Sequence, residues 1–136
     1  MARKFIDLGL ASGRLWAAEN EPGYHQFDEA VKTFGKQLPS AEAWKELFNQ
    51  CSREWDEDRK GYVLTGPNGN TLFLPADGYK DFLRNKIRYI GSGFYWSSSP
   101  NGIDDARLVG FNSGYIDAQR NNNRMDGFSV RLSKNK

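Results

Sequence analysis

Residues 93–134 read GFYWSSSPNGIDDARLVGFNSGYIDAQRNNNRMDGFSVRLSK, and the fold is decided there. The stretch opens on Phe94-Tyr95-Trp96-Ser97-Ser98-Ser99 and closes on Gly127-Phe128-Ser129-Val130-Arg131-Leu132. Both ends carry the aromatic and β-branched residues of strands. Alternate side chains of a strand point to opposite faces. Val109 and Phe111 are therefore expected to face a core, leaving Leu108 and Gly110 outside. After a turn at Ser113-Gly114, Ile116 faces in, and Tyr115 and Asp117 face out. The inward positions are uniformly apolar, whereas the outward ones share no chemistry. Folding accounts for the first set and not for the second.

Four features in this region, YWSSSP, the FNSG of Phe111 to Gly114, the run Asn121 to Asn123, and GFSVRL, resemble the variable region of diversity-generating-retroelement target proteins of gut bacteria and their phages. The resemblance implies a template copy that is reverse-transcribed with errors at adenines and overwrites the end of the target gene. Asparagine codons of the type AAC are the typical mutable sites. Changing their two adenines reaches Asp104, Asp105, Leu108, Gly110, Tyr115, Asp117, Arg120 and Asp126. Met125 and Gln119 depart from that pattern and need another template codon, such as AAG, or none. The plainer alternative is an ordinary β-rich region with Asn-rich turns.

The whole chain has 136 residues, the size of one domain, so residues 1–136 are expected to form a single domain with its variable region at about 93–134. Aromatic content is 14% although mean hydropathy is −0.73, so a few large rings must build the core. A net charge of +2 is too small for the concentrated basic patch that nucleic acid demands. Cys51 is the only cysteine, which excludes an intrachain disulfide. No apolar run reaches membrane-spanning length, and no signal-peptide stretch follows Met1-Ala2-Arg3-Lys4-Phe5. The chain reads as a soluble protein without membrane insertion or an export signal. A phage virion component would look like this, with a bacterial surface, reached through a partner, as the other location.

Upstream, Phe5 to Leu10 and Leu15 to Ala17 read as short strands around a Ser12-Gly13 turn. Phe27, Ala30, Val31 and Phe34 recur at helical spacing up to Gly35. Ser40 is placed to cap a second helix that buries Trp44, Leu47, Phe48 and Cys51. Ser52 to Lys60 is mixed in charge and reads as a solvated loop around Trp55. Gly61 to Thr65 and Thr71 to Leu74 read as strands joined through Asn68-Gly69. Lys80 to Tyr89 reads as a surface connection. The DLGL opening with its following LWA, and LTGPNGNTLFLPADGY, resemble the major-paralogous-domain proteins of gut bacteria. The order of strand, two helices and many short strands makes the chain α+β. The family resemblance implies the C-type lectin fold, with two helices packed on short antiparallel sheets.

No catalytic residue is assigned. His25 is the only histidine, it lies far in sequence from Ser97-Ser98-Ser99, and a serine nucleophile needs a base within hydrogen-bond reach. No metal or cofactor is expected. Asp104, Asp105, Asp117, Asp126 and the three asparagines could offer oxygen ligands to calcium, but such residues favour turns and solvent for simpler reasons. Two classes of function stay open. One is a ligand-binding module whose face is Asp104, Asp105, Arg107, Leu108, Gly110, Tyr115, Asp117, Gln119, Arg120, Met125 and Asp126. Its scaffold is Trp96, Val109, Phe111, Ile116, Gly127, Phe128 and Val130, and its partner an unknown protein or glycan on a bacterial surface. The other is a carbohydrate-binding or structural domain in which Trp96 and Tyr115 stack on sugar rings. Phage relatives display trimeric tips, so a trimer is one option by analogy; the oligomeric state stays open.

Overall fold

The computed structural model describes residues 3–101 and 105–136, with all side chains of these except those of Asn101, Asp105, Ala118, Gln119, Asn121 and Asn123. Strands β1 (Phe5–Asp7) and β2 (Leu15–Ala17) pair antiparallel, and β2 pairs on its other side with the final strand. Two helices follow. In α1 (Phe27–Phe34), Phe27 and Ala30 are buried, and the helix ends at Gly35, whose φ of 53° favours glycine. Val31, expected on the buried face, is 40% exposed: the eight-residue helix buries only the side that carries Phe27 and Ala30. In α2 (Ala41–Gln50), the Ser40 hydroxyl accepts from the Ala43 amide at 3.1 Å, and Trp44 and Leu47 are fully buried. Trp44 packs against Trp16 and Tyr95 and stacks on Phe48.

The segment Ser52 to Lys60 is not a loop throughout. Its first part is β3 (Ser52–Asp56), paired with β4 (Gly61–Thr65), which pairs in turn with β5 (Thr71–Pro75). A charged strand at a sheet edge keeps other chains from adding to it, so its polarity marks an edge rather than a loop. The hairpin through Gly66 to Asn70 forms as expected. A Cβ on Gly66 would stand 2.1 Å from the Leu8 carbonyl oxygen, so a side chain there has no room. Residues 79–88 form a second small hairpin, β6 (Tyr79–Asp81) and β7 (Lys86–Arg88), where a plain connection was expected. Asn85, at φ 53°, makes its tight turn.

Three strands form the meander that dominates the second half: β8 (Gly93–Asn101), β9 (Asp105–Asn112) and β10 (Tyr115–Asn123), in the order β10-β9-β8. Val109 and Phe111 enter one core with Trp16, Trp44, Leu64, Leu72, Leu74 and Tyr95, against which Ile116 packs half-buried. The opposite face of β9 is not outside. Leu108 is 0% exposed and joins Ala106, Trp96, Phe27, Phe128, Val130 and Leu132 in a second core. Gly110 is buried as well. The expectation that these two face solvent is therefore corrected. Alternation identifies the two sides of a strand but not whether the second side is covered, and β9 lies between two cores. Trp96, also 0% exposed, cannot stack on a sugar.

Gly127 to Leu132 is extended, but it forms isolated bridges rather than a continuous strand. These join Lys80 to Gly127, His25 to Phe128 and Tyr95 to Ser129, and the ladder resumes only at β11 (Ser133–Lys134). The segment threads between elements that each offer one pairing position. The result is α+β: two short helices packed against several small antiparallel sheets.

Candidate functional site

The Gly110 face of the β8–β10 sheet, the β6–β7 hairpin and the turn at residues 124–126 meet around an aromatic floor at the edge of the second core. Phe94 stacks on Phe128, with centroids 5.6 Å apart, and Tyr79 packs edge-on against both. Tyr89 stacks on Tyr79 and stays 67% exposed. Its backbone has φ 56°, a conformation that costs an aromatic residue free energy and is held by the turn bond from the Ser92 amide to its carbonyl.

Strand β10 supplies one wall. Asp117 is directly across from Gly110, which puts it and Tyr115 on the Gly110 face. A register shift between Asp117 and Arg120 then lets Arg120 stand across from Leu108, on that same face. Without the bulge Arg120 would point the other way. Its guanidinium carbon lies 5.5 Å from the centre of the Phe94 ring, and its Nη1 is 3.5 Å from the Tyr115 hydroxyl.

At the other end, a groove of about 600 Å³ opens between Tyr79, Phe82, Leu83, Gln26, Met125 and Asp126. Leu83 is 88% exposed and Met125 66%. Asp81 lies at its base, taking Arg84 Nη1 at 3.2 Å and Arg88 Nε at 3.1 Å. Burial works to raise the Asp81 carboxyl, but the Arg84 amide and the two guanidinium groups outweigh it and hold it below the ordinary aspartate value. Asp126 is the reverse case. Burial and then the charge of Asp81 push its carboxyl up, against the opposing pull of Arg88.

The two carboxyls should therefore titrate on opposite sides of the unfolded aspartate value, about 3.9. Asp81 contributes stability that is present above that value and lost as pH falls through its lower folded value. Asp126 opposes folding above its raised value and stops doing so as it protonates on acidification. Carboxyl carbon shifts followed against pH would check this, with Asp126 titrating at the higher pH. The reverse order would contradict the packing just described.

The residues expected at the binding face are only partly brought together. Tyr115, Asp117, Arg120, Met125 and Asp126 border this region, with Tyr115 46% exposed. Leu108 belongs to the core and Gly110 lies beneath Arg120. Arg107 is half-buried and lies on the opposite phase of β9. Asp104, and the side chains of Asp105 and Gln119, lie outside the described residues. The sequence reading missed the hairpin contribution of Tyr79, Asp81, Phe82, Leu83 and Tyr89. Its signal was present: Leu83, Ile87, Tyr89 and Ile90 crowd a cationic stretch where a mere connection would be polar.

The serines serve the frame. Ser97 donates to the Arg107 carbonyl at 3.0 Å, and Ser99 accepts from the Ala41 amide at 3.3 Å. His25 has Glu29 on Nδ1 at 2.7 Å and the Pro22 carbonyl on Nε2 at 2.9 Å. Burial pushes the Cys51 thiol up to about 11, far from a reactive thiolate. Among the described residues no group of three or more His, Cys, Asp or Glu is gathered to hold a metal.

Fold and site together define a small α+β domain with a groove between the β6–β7 hairpin and the turn at residues 125–126, beside the Tyr79–Phe94–Phe128 ring cluster. The chain belongs to a family recorded as a domain of unknown function (DUF8237), whose family model matches residues 46–133, well over half of the chain. That span holds every element of the groove except Gln26. No curated protein and no solved structure matches the chain.

Proposed function

We propose that this domain is a non-enzymatic ligand-recognition protein of C-type lectin topology, whose binding face is diversified by a retroelement and displayed on a phage tail tip or a bacterial surface. The observation that supports it is a division of labour along one stretch of chain. Tyr115, Asp117, Arg120, Met125 and Asp126 project from β10 and the turn after it, while Trp96, Val109, Phe111, Phe128 and Val130 are 0–1% exposed. Surface substitutions typically change stability by less than about 0.5 kcal/mol, so such a wall tolerates many residue types while the frame does not. Tyr and Arg carry much of the energy of protein interfaces.

Sequencing the gene and its neighbourhood in several isolates tests the reading. Copies should differ at Tyr115, Asp117, Arg120 and Asp126, beside an adenine-rich template repeat and a reverse-transcriptase gene. Leu108, being buried, should stay apolar even where its codon is mutable, and residues before Tyr95 should hardly change. Differences scattered evenly along the chain would leave a lectin-like binding domain without programmed diversification.

A further inference from the structure

Arg120 is half-buried and held in place without an ion pair among the described residues. It lies in a trough that exists because residue 110 is glycine: a Cβ there would stand 3.1 Å from its Cδ and 3.3 Å from its Nη1. The guanidinium carbon lies over the Phe94 ring at 5.5 Å, and Nη1 reaches the Tyr115 hydroxyl at 3.5 Å. The β10 bulge sets the direction. Among the described residues no carboxylate comes within 4.0 Å of it; Arg3, Arg59, Arg84, Arg88 and Arg124 each have one, whereas Arg14, Arg53, Arg107 and Arg131 do not. A positioned guanidinium loses little conformational freedom on binding, and its fork of donors matches a carboxylate.

We propose that Arg120, with the Tyr115 hydroxyl beside it, is the anchor for an acidic side chain of a protein partner; this rests on the ligand-recognition reading and gives its ligand a chemistry. The surroundings favour a protein over an acidic sugar. Tyr89, 67% exposed, stacks on Tyr79, which packs against the Phe94 below Arg120 and lines the adjoining groove with the exposed aliphatic side chains of Leu83 and Met125; that continuity suits the apolar side chains flanking a glutamate. Gly110 is then a specificity residue. A Cβ there obliges Arg120 to shift by a few tenths of an ångström and a branched side chain asks for more, so position 110 sets how Arg120 is presented.

The probes are the acetylated dipeptide amides leucyl-glutamate and leucyl-glutamine, with N-acetylneuraminic acid as a third, each titrated while the Arg120 side-chain Nε–H signal is followed by NMR. The glutamate peptide should move it saturably, with affinity about fivefold or more above that of the glutamine peptide, the range of one charge-assisted pair. Arg120→Gln should erase the difference between the peptides, and Gly110→Val should weaken glutamate binding while the Trp96 signals confirm the fold. Equal response to both peptides, or none from either, would overturn the anchor. Tighter binding of the sugar acid would overturn the protein partner. Failure here leaves diversification standing if gene copies vary at 115 and 120. Binding of the glutamate peptide without such variation would support the anchor and count against the retroelement alone.

Discussion

Replacing Arg131 by Met should lower stability by about 3 kcal/mol, a drop in melting temperature of roughly 10 °C, although the new side chain fills similar volume and removes a buried charge. Arg131 is 1% exposed and its guanidinium donates to three oxygens: Asn20 Oδ1 at 2.7 Å, the Ala17 carbonyl at 3.1 Å and the Phe73 carbonyl at 2.6 Å. These come from the loop after β2, from β2 itself and from β5, so one side chain ties three parts of the chain to the closing segment. Asn20 also donates to the Tyr95 hydroxyl, which donates to the Pro75 carbonyl, extending the network into β8. Burial pulls the Arg131 pKa below its ordinary value, which shows that the charge is costly where it lies. Each orphaned acceptor costs about 1–3 kcal/mol, and three of them outweigh the relief from removing the charge. Arg131→Lys should also destabilise, because one ammonium cannot span all three. Thermal melts of both variants check this; a Met variant as stable as the parent would show that the charge costs as much as its bonds return.

Trp96→Ala should be the most damaging single truncation, about 3–5 kcal/mol, which approaches the whole stability of a small domain. Its ring packs 4.2 Å from that of Phe128 and edge-on against Phe27, and its Nε1 donates to the His25 carbonyl at 2.6 Å. Leu108→Ala should cost about 2–5 kcal/mol for the same reason, a cavity in the second core. Tyr115→Ala should change the melt by less than about 0.5 kcal/mol. Denaturant unfolding of the three variants separates frame from wall. A silent Leu108→Ala would return that residue to the display face.

These contrasts also mark how far the sequence could be read. Local chemistry was legible wherever one residue settles one geometry. Ser40 specifies a helix start, Asn68-Gly69 a hairpin, Gly35 a helix end, and the inward phase of Val109 and Phe111 follows from alternation. What failed depended on partners distant in sequence. Leu108 is buried because Phe27 and Phe128 arrive from residues remote along the chain, and nothing near position 108 announces them. β3 was hidden because an edge strand is selected to look soluble. The β6–β7 hairpin was hidden because its apolar residues point outward, opposite to the pattern by which strands are recognised. For the site, the wall was legible in part. Gly110 as a seat for Arg120 was not, since a bulge in the next strand, between Asp117 and Arg120, decides where that arginine points.

The way β2 joins the two ends of the chain has a mechanical side. Phe5 pairs with Ala17 and Asp7 with Leu15, while Ser133 pairs with Trp16 and Lys134 with Leu15. β1 and β11 therefore run in the same direction on either side of one strand. Tension applied between residues 4 and 135 pulls them along their own axes in opposite senses, so the flanking hydrogen bonds are loaded together in shear instead of opening one after another. A domain tethered at those points and dragged by whatever it has captured would resist along its strongest axis, and the groove would keep its shape until that clasp gave way.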